Sequence, residues 1–474
     1  MKGSGSPGAS FVLVPPPPNG NHETTPLPRS AHGHGVLRAD DFGTVAVPIG
    51  LSLRHESSRM RVAVISMVPA FPVKAGHGAR IFQLCKAIKG LGHELTFIHF
   101  TSRLERQRPD DGAHVDFFGR EHYLRLNNGG RFARTVFWLR GKFVRRVRKT
   151  LRAFGLDHGY YSSLDQNWRG VWSKQLRKLS GHFDVVIVEY VFNSRALEAF
   201  GPGTRKLLDT HDVFADRHQP FVARGFRQGY WISLSPQDEA AGLRVADTVL
   251  AIQQEEAGNF RRQLSESGGK ERNPDVVVVS HFLDMRPPVS EFGADHVALY
   301  VGTNMLSNQI SMQDFLDHVL PRVVKEIPDF TLRVAGSICE WMPDLPNVEK
   351  LGFVDDLNEA FSRTPLSINP TLAGTGINIK LLDALCAGVP TVSTSMGARG
   401  LPGDFRNGVV TVPDRDHGAF ASEIVRLSRN AALRRALGHA AYADAQRWDA
   451  QQRAALDRCL HEARDPLQPT AAEK

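Results

Sequence analysis

Residues 369–401 read NPTLAGTGINIKLLDALCAGVPTVSTSMGARGL, and this stretch decides the fold. A short apolar strand ends at Ile368, a loop carries Gly374 and Gly376, and apolar residues at helical spacing begin near Ile379. A second strand, residues 390–393, runs into another glycine loop at 395–400. A glycine loop that opens a helix presents unpaired backbone N–H groups and a partial positive charge, which suits phosphate oxygens. Lys380 falls in the first turn, where the helix dipole disfavours a cation unless an anion lies beside it. Such a lysine is expected to make little core contact. Asp383 lies about one turn further on, placed to accept hydrogen bonds from ribose hydroxyls.

The same alternation extends in both directions. Residues 61–68 (RVAVISMV) form the apolar run that a buried parallel strand needs. A loop with Pro69, Pro72, Gly76 and Gly78 follows, then a helical pattern over 79–90 and a strand over 95–100. Strand, glycine loop, helix, strand is one βαβ unit, and α/β folds bind ligands at that first loop. Further strands are expected at 185–188, 206–209, 248–252 and 276–279. Pro287 and Pro288 punctuate the chain, and a second series follows at 297–301 (VALYV), 332–334, 366–368 and 391–393. The pattern predicts an α/β protein of two Rossmann-like domains facing a cleft. Their expected limits are 60–285 and 286–463, with a hinge near 284–295. A terminal helical stretch over 420–463 is expected to pack back across both. Residues 1–59 are rich in Pro, Gly and Ser and lack periodicity, so they read as a disordered tail, and 464–474 as a second tail.

The donor-loop stretch resembles the motif of the GT-B glycosyltransferases, group 1 or family 4, roughly G-x-G-x-x-x-K-x-L-E-A-L-A-x-G-x-P-V-V-x-T. The matching residues are Gly374, Gly376, Lys380, Leu382, Asp383, Ala384, Leu385, Gly388, Pro390, Val392 and Thr394. Residues 301–328 resemble the opening of that family's C-terminal domain and 348–357 the segment before its donor loop. The resemblance implies a hexosyltransferase that moves a sugar from a nucleotide-diphosphate sugar to a hydroxyl acceptor. A cell-surface polysaccharide or glycolipid pathway follows by the same analogy. It places Gly302, Thr303, Gly374, Thr375, Gly376, Lys380, Asp383 and Arg399 on the donor, and Gly76, His77, Gly78 and Arg80 on an acceptor-side loop. It gives His211 and Asp212 catalytic positions near the sugar. Two departures stand out. Thr375 occupies the position of the family's first donor glutamate, and Thr303 and Asn308 occupy those of an arginine and lysine that hold the diphosphate.

The bland readings remain beside these. His211 is equally a satisfied core histidine, Arg399 is equally a surface arginine, Asp212 and Glu189 are equally helix caps, and Gly76 and Gly78 make a turn on either reading. The chain has 474 residues, 42% of them hydrophobic and 23% charged, with a formal charge of +8. That basic balance calls for an anionic partner. Nucleic acid is not expected, since zinc-finger spacing, an RNP-like strand and a basic zipper region are all absent from the sequence. Cys85, Cys339, Cys386 and Cys459 are scattered without metal or disulfide spacing, and no Asp-x-Asp cluster stands at the donor loop. A metal-independent, cofactor-free enzyme of a reducing cytoplasm is expected. Residues 131–152 carry nine Lys or Arg among Phe132, Val136, Phe137, Trp138, Leu139, Phe143, Val144, Val147 and Leu151. This segment is either an amphipathic packing helix or a peripheral dock for the anionic inner face of a membrane, where a lipid-linked acceptor would lie. An oxidoreductase of Rossmann type fails at the third glycine position, which is Ile81 in this chain. A catalytically degenerate binding or scaffold protein on the transferase fold is the remaining alternative.

Overall fold

The computed structural model describes residues 59–73, 76–102, 104–105, 107–164, 166–223, 230–268, 273–285, 287–288, 295–354, 356–362, 364–373 and 377–461. The expected tails at 1–59 and 464–474 therefore lie, but for Arg59, outside the described residues. Residues 57–474 form one compact unit.

The first half of that unit begins with β1 (Arg61–Ser66), α1 (Gly76–Gly90), β2 (Glu94–Phe100), α2 (Asp111–Phe118), β3 (Tyr123–Leu126) and α3 (Arg131–Ala153). It continues through α4 (Gly170–Lys178), β4 (Val185–Glu189), β5 (Arg205–Asp209), α5 (Gln219–Val222), α6 (Pro236–Leu243), β6 (Thr248–Ala251), α7 (Gln254–Glu266) and β7 (Asp275–Val278). The strands form one parallel sheet ordered β3-β2-β1-β4-β5-β6-β7. Val62 to Ile65 and Val185 to Val188 are buried on both faces, which is why they read as unbroken apolar runs. Helices cover the sheet, with α1 contributing Ile81, Leu84 and Ile88 from one stripe.

The second half runs β8 (Val297–Val301), α8 (Leu306–His318), α9 (Leu320–Glu326), β9 (Thr331–Ala335), β10 (Val348–Gly352), α10 (Leu357–Ser362) and β11 (Leu366–Asn369). Then come α11 (Ile379–Cys386), β12 (Thr391–Thr394), β13 (Val409–Val412), α12 (His417–Ser428) and α13 (Ala431–His461). Its parallel sheet is ordered β10-β9-β8-β11-β12-β13. Both sheets reverse their strand order beside their first strand, between β1 and β4 and between β8 and β11. Open α/β sheets bind ligands at the carboxyl ends of the strands at such a reversal. Gly76 and Gly78 follow β1, Gly302 and Thr303 follow β8, and Lys380 follows β11, while His211 and Asp212 follow the neighbouring β5.

The 31-residue α13 joins the two halves. Near its start Gly438 packs against Gly388, where a Cβ would lie 2.4 Å from the Gly388 carbonyl oxygen. Near its end Leu456, Cys459 and Leu460 enter the core of the first sheet. Between them α13 receives the connecting segment. Gln452 accepts from the Ser280 amide at 2.7 Å, Asp449 accepts from Leu283 at 2.8 Å, and Trp448 Nε1 donates to the His281 carbonyl at 2.9 Å. The helical stretch expected over 420–463 is two helices, α12 and α13, and it is α13 that packs back across both halves and satisfies the backbone of the crossover.

Candidate functional site

At the reversal point of the second sheet, β8 runs into Gly302 and Thr303. A Cβ on Gly302 would lie 2.6 Å from the Tyr300 ring, and one on Gly336 would lie 2.3 Å from the Gly302 oxygen. Glycine at 336 lets these two loops approach so closely, and glycine at 302 leaves room for the Tyr300 ring. The Thr303 carbonyl and hydroxyl accept from Asn308 Nδ2 at 3.0 and 3.2 Å, and Asn308 Oδ1 in turn accepts from Lys380 Nζ at 3.1 Å. Lys380 also donates to the Tyr300 hydroxyl at 3.3 Å and lies 4.7 Å from that ring's centre.

Lys380 stands in the first turn of α11, as the sequence predicts, but it is not a loosely solvated side chain. It is packed on Tyr300 and Asn308 and has no carboxylate partner among the described residues. Burial lowers its pKa from 10.5 to about 8. One turn on, burial raises Asp383 from 3.8 to about 7, and its carboxyl has no described hydrogen-bond partner. The start of α11 therefore carries a desolvated ammonium and, one turn on, a desolvated carboxyl, neither with an ion-pair partner among the described residues. Gly374, Thr375 and Gly376, the loop expected to complete it, lie outside the described residues.

The Ser395–Gly400 turn closes on the same place. The Gly397 oxygen accepts from Asn369 Nδ2 at 2.9 Å and from Asn378 Nδ2, at the start of α11, at 2.7 Å. Gly400 has φ +80, and a Cβ there would meet Gln253 of the first half at 2.5 Å and Ile377 at 2.6 Å. Arg399 is 3.8 Å from Glu255 in the first turn of α7. Gly76, which opens α1, would place a Cβ 3.2 Å from Ile379, which opens α11. The starts of the two glycine-led helices therefore meet.

At the reversal point of the first sheet the sequence-predicted residues separate. His77 lies 3.5 Å from Glu105, with its pKa lowered chiefly by burial. Gly78 is buried beside Pro69, the nearest atom to an added Cβ being the Pro69 oxygen at 4.0 Å. Arg80, read as an acceptor-loop residue, is a correction. Its side chain is buried and its donors are engaged: Asp209 takes Nε at 2.9 Å and Nη2 at 2.6 Å, and the Ser280 and Val279 carbonyls take Nη1 and Nη2 at 3.0 and 2.8 Å. It ties β5 to the crossover, with four of its five N–H donors spent on Asp209, Val279 and Ser280. Asp212 accepts from the Val213 amide at 2.9 Å and pairs with Arg217 at 2.7 Å, so its carboxylate is occupied.

His211 sits at φ +63 with Nε2 in contact with Glu189 and 3.6 Å from Asp209. Burial and the charge of Asp209 raise Glu189 well above the usual carboxylate range, while burial lowers His211 to about 4. Burial thus disfavours the charged form of both partners in the His211–Glu189 contact. Arg80 and Asp209 form an ion pair beside it. Tyr190 stacks on His211 at 4.2 Å, and the half-exposed Trp231 meets Tyr190 edge-on at 5.7 Å. Tyr190 and Trp231 carry no motif, and their positive φ values have no sequence signature. Glu189, Asp209 and His211 offer three ligand atoms within 4.8 Å of one another, but the Arg80 guanidinium already occupies Asp209.

The family model described as Glycosyl transferases group 1 matches residues 295–430, from just before β8 through α12. Over 145 residues the chain is 29% identical to an uncharacterized 44.6 kDa protein in the cps region of Klebsiella pneumoniae. That match covers 28% of this chain and 37% of the relative, so it spans little more than a third of the relative's length. Among solved structures, TarM of S. aureus superposes with a TM-score of 0.59 at 9% identity, over 86% of this chain and 100% of that one. Anabaena HepE in complex with UDP and glucose gives 0.53 at 13% identity, over 85% and 100%. Sucrose-phosphate synthase from Thermosynechococcus elongatus gives 0.52 at 18%, over 84% and 97%. Residues 295–430 thus match the group 1 glycosyltransferase model, in a chain that has the fold of the GT-B glycosyltransferases.

Proposed function

We propose that the protein transfers a hexosyl group from a nucleotide-diphosphate sugar to a hydroxyl acceptor. The observation that carries this is Lys380: a largely buried ammonium without a carboxylate partner, in the first turn of a helix led by a glycine loop. A buried unpaired charge is costly, and a diphosphate supplies the missing partner. In this reading α11 and Lys380 hold the diphosphate, Asp383 accepts from the ribose, and Gly302, Thr303 and Arg399 border the donor. The acceptor enters by Gly76, His77 and Gly78 and meets His211, which stays neutral above about pH 4 and serves as a hydrogen-bonding partner rather than a cation. Glu189 fixes its ring.

Charge grows on the departing diphosphate in the transition state, so preorganised donors there supply much of the rate. The helix N-terminus and Lys380 carry that charge without a metal ion in this proposal. Closure of the two halves would exclude water, which otherwise hydrolyses the donor. A role in cell-surface polysaccharide or glycolipid synthesis is supported by the cps-region name of the Klebsiella relative. UDP is the first nucleotide to test, because the HepE complexes contain it.

The test is a thermal-shift screen of UDP-, GDP-, ADP- and CMP-sugars, followed by release of nucleotide with and without EDTA. A ligand present at about 100 times its dissociation constant adds about 2.7 kcal/mol. Stabilisation by one nucleotide sugar with EDTA-insensitive turnover is expected. Thr303 and Asn308, standing where the family has cations, favour a second reading, a binding protein on this fold; stabilisation without turnover would identify it.

A further inference from the structure

Helix α3 turns the wrong face to solvent. Val136, Leu139, Phe143 and Val147 recur at three- and four-residue spacing and so form one stripe. A packing helix buries such a stripe, yet all four are exposed, Phe143 to 70%. Seven of the thirteen exposed large hydrophobic side chains among the described residues lie between Val136 and Leu156. The face turned toward the protein is partly basic instead. Arg148 donates to Ser162 at 3.3 Å, and Arg152 donates to the Gly159 carbonyl at 2.8 Å.

Charge identifies what covers the stripe. Lys142, Arg145, Arg146 and Lys149 are exposed along its flank, and residues 131–156 contain nine Lys or Arg and no Asp or Glu. Lys142 lies 3.8 Å from the Trp138 ring centre, which leaves an amphipathic aromatic beside the cations. A second copy of the chain would bring the same uncompensated cations to the contact, and like charges repel across an interface. An anionic bilayer offers the complement to both features: acyl chains for the stripe and headgroups for the cations. We infer that α3 docks the protein on an anionic phospholipid surface.

The dock lies beside the acceptor side of the candidate site. Arg152 lies 5.4 Å from the Tyr160 ring and 5.8 Å from that of Tyr230. The next residue, Trp231, leads through Tyr190 to His211. A lipid-linked acceptor held in the same bilayer would reach His211 by this edge. That last step rests on the proposed transferase reading, whereas the docking itself does not.

The test is cosedimentation of the full chain with phosphatidylcholine vesicles, with and without roughly one-third phosphatidylglycerol, in the absence of donor and acceptor. Binding is expected only to the anionic vesicles, and to weaken as salt rises. The triple variant R145E/R146E/K149E should bind at least about a hundredfold more weakly at low salt, from loss of about 1 kcal/mol per cation. The pair L139S/F143S should lose binding at every salt concentration. Unchanged melting temperatures would show that both variants fold, as exposed positions allow. Equal binding to neutral vesicles, no binding to anionic ones, or variants that sediment like the native chain would each overturn the docking. A native dimer that L139S/F143S dissociates, with vesicle binding unaltered, would reassign the stripe to self-association. Vesicle binding by a chain without sugar transfer would leave the dock standing and remove only the transferase reading.

Discussion

Lys380→Met separates the function of this side chain from its cost. The substitution keeps an unbranched chain of similar reach and deletes the charge. A pKa drawn from 10.5 to about 8 places the cost of holding the ammonium among these neighbours at about 3 kcal/mol at pH 7. Against that stand the hydrogen bonds to Asn308 and Tyr300, at about 1 kcal/mol each. The unliganded variant should therefore be more stable by on the order of 1 kcal/mol, a rise of a few degrees in melting temperature. Diphosphate binding should move the other way. A lost charge-assisted bond is worth about 1.5–3 kcal/mol, or about ten- to a hundredfold in affinity. The assay is calorimetric titration with UDP, or whichever nucleotide the screen selects, beside thermal melts of both proteins.

The pH dependence adds a control whose sign is fixed. Between about 8 and 10.5 the folded native chain has released the Lys380 proton while the unfolded chain still holds it. Unfolding then takes up a proton, so native stability rises with pH across that window. Lys380→Met lacks this rise of about 3 kcal/mol, so its advantage of about 1 kcal/mol should vanish within the window and reverse by pH 10.5. Equal nucleotide affinity in a folded variant would refute the placement of the diphosphate. A fall of several degrees in melting temperature would instead make Lys380 a packing residue.

Nucleotide binding should follow a bell-shaped pH profile, rising near 7 as Asp383 ionises and falling near 8 as Lys380 loses its proton. Asp383→Asn should abolish the acid limb alone, and a flat profile from pH 6 to 9 would contradict both assignments. Arg80→Met should destabilise the fold by about 3–5 kcal/mol in urea, because it strands a buried carboxylate at Asp209. A stable Arg80→Met protein with only a raised acceptor KM would return Arg80 to the acceptor loop. Gly438→Ala should destabilise, although alanine in a helix interior ordinarily gains about 1 kcal/mol over glycine, because its Cβ would meet a backbone oxygen at 2.4 Å. Denaturation midpoints of the two proteins decide the sign.

The parts of the fold legible in the sequence are those whose cause is local. Interior strands such as β1, β4 and β8 are buried on both faces, so their apolar runs announce them. The three strands not anticipated, β3, β10 and β13, each lie at a sheet edge. Their burial is partial, with only Leu126 buried in β3 and no residue buried in β10, and such short half-exposed segments carry little pattern. The start of α11 was legible for a similar reason, since Lys380 and Asp383 take their places from one helix start. Arg80 was not, because its partner Asp209 is 129 residues away and nothing near Arg80 announces it. The outward turn of the α3 stripe has the same origin. An amphipathic pattern fixes that a helix has two faces, and only the rest of the chain decides which one it covers.

The absence of a second cation at position 308 has a physical consequence at Lys380. A lysine in place of Asn308 would bring another ammonium to the atom that now accepts from Lys380 at 3.1 Å. Like charges at that range disfavour the charged form of both, so Lys380 would lose its proton more readily without a bound anion. Asn308 does the reverse, offering a carbonyl oxygen that stabilises the ammonium and a donor that anchors on Thr303. The arrangement exchanges diphosphate charge for a lysine that stays protonated near neutral pH before any ligand arrives. Asn308→Lys should therefore lower the melting temperature of the unliganded protein and shift the alkaline limb of nucleotide binding below pH 8. Once a diphosphate bridges the two ammoniums, the added bond should raise affinity at pH 7 by about tenfold or more. Titrations of the variant at pH 6, 7 and 8, beside its melts with and without nucleotide, measure both effects. Weaker nucleotide binding at all three pH values, in a variant that melts like the native chain, would mean that the diphosphate does not approach position 308. Thr303 and Asn308 would then be a structural tether for the loop and not the remnant of a phosphate clamp.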